Sequence, residues 1–180
     1  MPRSPRIELA GGIHHVTARC VDPLAAFRDD FDRRRYLRLL STVVRHTSWQ
    51  CLSYCLMGNH VHLLLETPRP NLGAGMQRLH GQYVQAFNRR HDRVGHLFER
   101  RFHNEHVLDQ THLWNVLRYI AHNPVEAGLC AKPEEWAWSS HAAIVSGDSP
   151  AYLARTRLYS LVGADGGDPL RRYRELVKGA

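Results

Sequence analysis

Residues 13–20, Ile-His-His-Val-Thr-Ala-Arg-Cys, follow Gly11-Gly12 and are short and rich in β-branched side chains, which predicts a strand. Asp22-Pro23 breaks it. Across 27–46 the spacing lengthens: Phe31, Tyr36, Leu39, Leu40, Val43 and Val44 recur near the 3.6-residue period with arginines opposite, predicting a helix. Residues 49–57 and 60–66 read as two strands joined through the turn chemistry of Gly58-Asn59. Pro68 and Pro70 end the second of them. Residues 72–90 form a second amphipathic pattern, with Met76, Leu79, Tyr83 and Phe87 three or four apart. A fourth strand is predicted over 93–102, with a continuation towards Val107. A third helix is predicted over 111–122 on Leu113, Val116, Leu117 and Ile120, stopped at Asn123-Pro124 because proline lacks an N–H and disfavours a helical residue before it.

The order strand, helix, strand, strand, helix, strand matches the split βαβ, ferredoxin-like α+β plan: an antiparallel sheet with helices on one face. The other face is left open for a site, and an added C-terminal helix can lie across it. After Ser139-Ser140 the chain becomes richer in Gly and Ala, then ends in a basic segment over 169–178. The expected division is a domain over 1–145 and a basic C-terminal tail with a short helix over 146–180. No internal repeat is present.

Composition narrows the class. The chain has 180 residues, 43% of them hydrophobic and 23% charged, which suits a folded domain rather than a disordered one. No apolar run approaches the roughly 18 residues of a membrane span, and no apolar segment follows the basic Met1-Pro-Arg-Ser-Pro-Arg start, so the expected location is intracellular. Net charge is +7 and the excess is mostly arginine, in pairs and triplets along the whole chain. The planar guanidinium fork suits phosphate, which points to a nucleic-acid partner; a modestly positive solvated surface would look the same. Cys20, Cys51, Cys55 and Cys130 form no CxxC pair, so neither a zinc knuckle nor a disulfide framework is expected.

The sharpest chemical feature is His60-Val61-His62. Positions i and i+2 of a strand share a face, so both imidazoles project together and can hold a divalent metal if further ligands join them. With 13 histidines in the chain, such a pair also arises by chance. His14 and His15 alternate faces on the first strand, where one can approach that metal or both can be plain strand residues.

The blocks around these histidines resemble a known family, the HUH single-tyrosine transposases, in particular the REP-associated branch of bacterial chromosomes. His15-Val-Thr-Ala-Arg19 is similar to its first strand and Gly58-Asn-His-Val-His-Leu-Leu64 to its histidine strand. Tyr83-Val-Gln-Ala-Phe-Asn-Arg-Arg90 and Gly95-His-Leu-Phe-Glu-Arg-Arg-Phe102 are similar to its middle section. Arg118-Tyr-Ile-Ala-His-Asn-Pro-Val-Glu-Ala-Gly-Leu129 resembles its most recognisable block, and Trp136-Ala-Trp-Ser-Ser140 the motif after it. The match runs in the family's order over about residues 11–142.

The resemblance implies a metal-dependent single-stranded DNA endonuclease and strand transferase that cuts near REP-like hairpins. Tyr119 would be the nucleophile, forming a 5′-phosphotyrosine and freeing a 3′-hydroxyl. A free phenol has a pKa near 10, so attack needs help; Mg²⁺ or Mn²⁺ on His60 and His62 would supply it. Asn123, one helical turn after Tyr119, or a neighbouring polar group would be the third ligand. Arg33, Arg34, Arg35, Arg89, Arg90, Arg100 and Arg101 are the candidate DNA contacts.

Alternatives stay open beside this reading. Tyr119 can be a core aromatic, and Tyr83 is the rival nucleophile, although its spacing suits packing. Trp136 and Trp138 can stack on bases or pin the C-terminal segment. The same sheet can serve as a non-catalytic hairpin-binding module, or as a hydrolase using water directly. The implied setting is the bacterial cytoplasm, at the nucleoid, as a monomer or homodimer.

Overall fold

The computed structural model describes residues 9–21, 26–148, 150–163 and 167–179. Its first six elements are β1 (Gly12–Arg19), α1 (Asp30–Thr47), β2 (Gln50–Leu56), β3 (His60–Thr67), α2 (Leu72–Arg90) and β4 (His103–His106). The sheet order is β2-β3-β1-β4, with every neighbouring pair antiparallel. This is the α+β, ferredoxin-like arrangement expected from the sequence.

β3 is buried along nearly its whole length, so the sheet is covered on both faces. α1 and α2 pack side by side over the face carrying Val16, Ala18, Val61, Leu63 and Leu65. Tyr36, Tyr83 and Phe27 interlock between them, with ring centroids 5.1 to 5.5 Å apart. α3 (Gln110–Glu126) crosses the opposite face against β2 and β3.

Three expected boundaries move. α1 starts at Asp30 rather than 27, because Asp29 caps it by accepting the Asp32 N–H at 3.1 Å. The fourth strand is His103–His106, which lies within the expected continuation towards Val107, while 93–102 forms no strand. Residues 93–102 run irregularly through Gly95 (φ +88°), pair with the end of β1 at a Cys20–Phe98 bridge, and bury Leu97, Phe98 and Phe102 as anchors. Their apolar pattern reflects anchoring rather than ladder pairing. The break read at Asp22-Pro23 lies outside the described residues.

α3 also continues through Asn123-Pro124 for one more turn. Proline forfeits a single helical hydrogen bond there, and the helix ends at Glu126 instead, just before Gly128, whose φ of +69° permits the closing 2.9 Å bond from Leu129 N–H to Pro124 C=O. Asn123 therefore stays in helical register with Tyr119.

Beyond α3, a 3-10 turn (Pro133–Glu135) leads to α4 (Ser140–Ser146), α5 (Arg155–Val162) and α6 (Pro169–Lys178). Among the described residues of 146–180, where a single short helix was expected, α5 and α6 both lie. α6 packs on α3 and α5: Tyr173 is fully buried 3.1 Å from His141 Nδ1, and His122 Nε2 donates to the Val177 carbonyl at 2.9 Å. Trp136 Nε1 donates to Leu56 C=O and Trp138 C=O accepts from Leu56 N–H, which ties this region to the end of β2. Among the described residues no helix is long and apolar enough to cross a membrane.

Close packing joins α2 to the β2 entrance. Trp49 is buried and its indole N–H donates to Asn71 at 2.7 Å. A Cβ on Gly75 would stand 2.1 Å from the Trp49 ring. Gly75→Ala should therefore lose at least ~2 kcal/mol through overpacking, despite the ~1 kcal/mol that alanine gains in a helix. Urea unfolding would check this; unchanged or increased stability would refute it.

Candidate functional site

Strand alternation builds the floor of the site. His60 and His62 share the face of β3 crossed by α3, with ring centroids 4.9 Å apart. In the β1–β3 register Thr17 stands opposite His62 and Arg19 opposite His60, so His15, Thr17 and Arg19 project from the same face. On the far side of β1, Glu105 of β4 stands opposite His15 and His103 opposite Thr17. His14 points the other way and lies against His106, with ring centroids 5.3 Å apart.

α3 supplies the roof. Tyr119 and Asn123, one turn apart, face the histidines. The Tyr119 ring meets His62 edge-on at 5.3 Å and His15 at 6.0 Å. It keeps 44% of its surface exposed, whereas Asn123 is buried. Asn123 Oδ1 lies 3.1 Å from His60 Nε2, and His60 Nδ1 lies 2.7 Å from Asn59 Oδ1. Nε2 of His15 lies 3.0 Å from Nδ1 of His62. The remaining nitrogen of His62, Nε2, is buried with no hydrogen-bond partner.

Burial sets the protonation of these imidazoles. Desolvation lowers His60 and takes His62 well below the usual histidine range, with repulsion from His60, His15 and Arg19 adding to the effect on His62. Desolvation also lowers His15 to about 4 against a smaller opposing pull from Glu105. Neutral imidazoles offer lone pairs, which suits metal ligation. Among the described residues no group of three His, Cys, Asp or Glu side chains is arranged to hold a metal ion.

The expected arginines do not gather at this site. Arg90 makes 2.6 Å ion pairs with both Asp29 and Asp32, bracing α2 against the start of α1. Arg33 is packed over the rings of Trp136 and Trp138 at 5.7 and 5.6 Å. Arg34, Arg35 and Arg89 are exposed on α1 and α2, across the sheet from Tyr119. Arg100 and Arg101 border a groove of about 760 Å³ between α2 and residues 96–102. The positive group that does stand at the site is Arg19, which sequence reading passed over; its two-residue spacing from His15 and Thr17 was the available signal. Tyr83 is buried and donates to the Ala26 carbonyl at 2.5 Å.

Residues 12–123 match the family described as IS200-like transposase. The chain belongs to that family. It is 24% identical over 141 residues to a Haemophilus influenzae protein named as a REP-associated tyrosine transposase, covering 72% of this chain and 80% of the relative. Its fold is similar to that of a REP-associated tyrosine transposase solved bound to a REP hairpin, at a TM-score of 0.71 and 16% identity, over 83% of this chain and 89% of the other. On this face the IS200-like chain brings together the phenol of Tyr119, the imidazoles of His15, His60 and His62 and the amide of Asn123.

Buried neutral histidines make its stability depend on pH. His80, between Tyr36 Oη and the Arg101 carbonyl, and His141, beside Tyr173, are both lowered to about 4, mainly by desolvation. Unfolding restores the ordinary value of 6.5, so the unfolded chain binds the extra protons. The stabilisation is full above pH 6.5, falls between 6.5 and about 4, and changes no further below that. Each group contributes a slope of up to ~1.4 kcal/mol per pH unit. Urea unfolding at pH 7, 6 and 5 should trace this decline; constant stability over that range would contradict it.

Proposed function

We infer that this IS200-like chain is a single-stranded DNA endonuclease and strand transferase that cuts beside a hairpin through Tyr119. The observation that carries the reading is the convergence on one face of the sheet of Tyr119 and Asn123 from α3 with His60 and His62 from β3, while the rival Tyr83 is buried and committed to a carbonyl. The hairpin in the solved relative's description supports the substrate class.

In the proposed reaction the Tyr119 oxygen attacks the phosphorus of a phosphodiester. The P–O3′ bond breaks, a 5′-phosphotyrosine forms, the phenolic proton passes to solvent and the departing 3′ oxygen gains a proton. The bond energy is retained in the covalent link, so a 3′-hydroxyl can later reverse the step and join a new strand without ATP. Tyr119's half-exposed position suits a flexible single strand that can bring its phosphate to the sheet face; a regular duplex is too stiff to do so readily. Arg19, beside His60, is placed to meet a phosphate oxygen.

His60, His62 and Asn123 would hold a Mg²⁺ or Mn²⁺ ion. Two features support the fit: the buried, unpartnered Nε2 of His62 and the 3.1 Å approach of Asn123 Oδ1 to His60 Nε2. A neutral His60 that donates from Nδ1 to Asn59 presents a lone pair to that amide oxygen, an arrangement a cation would join; without one, Nε2–H can donate to Asn123 instead. When bound, the ion would polarise the scissile phosphate and stabilise its developing charge.

Labelled hairpin oligonucleotides with single-stranded flanks, incubated with Mn²⁺, test the reading by denaturing gel and intact mass. The parent chain should yield a DNA adduct on Tyr119, and Tyr119→Phe should abolish both adduct and cleavage while hairpin binding persists. Cleavage surviving in Tyr119→Phe would refute the mechanism. Binding without any adduct, where a reactive relative is positive, would favour a hairpin-binding module.

A further inference from the structure

His15 has no role in the reaction as described, yet it touches both halves of the site. It is a buried histidine of β1 whose ring stacks on His62 at 5.3 Å and 22°, and it meets Tyr119 edge-on. Its Nε2 lies 3.0 Å from His62 Nδ1; the next polar atom there, Thr17 Oγ1, is at 3.5 Å.

A neutral imidazole carries one N–H and one lone pair, and a hydrogen bond at one nitrogen decides which is where. If His15 donated to His62 Nδ1, the His62 proton would sit on Nε2, buried without an acceptor and unable to ligate. If His62 donated from Nδ1 to His15, the lone pair would sit on Nε2, the buried nitrogen that has no hydrogen-bond partner. We propose that His15 is a positioning residue: by accepting the Nδ1–H of His62 it holds that ring in the tautomer whose Nε2 lone pair is free for a divalent cation. His15 then keeps its own proton on Nδ1. The arrangement is an imidazole in the place where metal-bound histidines commonly have a carboxylate or carbonyl. Neutral His15 orients His62 without bringing a second negative charge to a site that must admit phosphate.

This inference rests on the metal reading above, and the two fail separately. Long-range ¹⁵N–¹H NMR of the metal-free full chain reports the His62 tautomer, and EPR titration with Mn²⁺ reports affinity. The parent should show His62 protonated on Nδ1. His15→Phe, which keeps the ring but removes the acceptor, should lose that preference and bind Mn²⁺ about 10- to 100-fold more weakly. His15→Gln, whose amide oxygen can take the place of Nε2, should recover most of both signals. A parent His62 protonated on Nε2 would overturn the proposal without needing any variant to fold. So would His15→Phe binding Mn²⁺ as tightly as the parent while His60→Ala does not. If His60→Ala and His62→Ala left Mn²⁺ affinity unchanged, the metal reading would fall instead, whatever the tautomer.

Discussion

The antiparallel register of β1 on β3 governs everything above it. Because side chains alternate, a slip of one residue would carry Val16 and Ala18 out of the core and bring His15, Thr17 and Arg19 into it. The apolar face is thoroughly buried, with Val16, Val61, Leu63 and Leu65 fully inaccessible beneath α1 and α2. At about 25 cal/mol per Å² of apolar surface, that burial far outweighs any preference of the polar face. The hydrophobic side of the sheet thus positions the histidines on the other side, although it touches none of their reactive atoms.

α3 is the second determinant, and it is held from behind. α6 fastens it through His122 to the Val177 carbonyl and Arg118 to the Leu176 carbonyl. Gly128 closes it one turn later than the proline suggests. The extra turn keeps Asn123 buried against His60 while Tyr119, four residues earlier, stays accessible. One rigid element therefore presents an accessible phenol and a buried amide at fixed separation, and neither needs to move for the other to act.

The arginines divide by their partners. Asp29 and Asp32 engage Arg90, and the tryptophan pair engages Arg33, so these charges serve the joints between α1, α2 and the segment after α3.

Periodicity alone determined the element order, and through it the sheet plan, since a period near 2 or 3.6 is written locally in the chain. The HxH pair was legible for the same reason: its geometry needs only the strand it sits on. The late end of α3 was hidden because proline's local preference was overridden by packing and by Gly128. The fourth strand was misplaced because Leu97, Phe98 and Phe102 bury their side chains from irregular backbone, which leaves an apolar pattern without a ladder. For His15 and Arg19 the strand alternation was legible, but not their partners. What brings them to His62 and His60 is pairing across 47 and 41 residues of chain, and only burial of the opposite face selects that register.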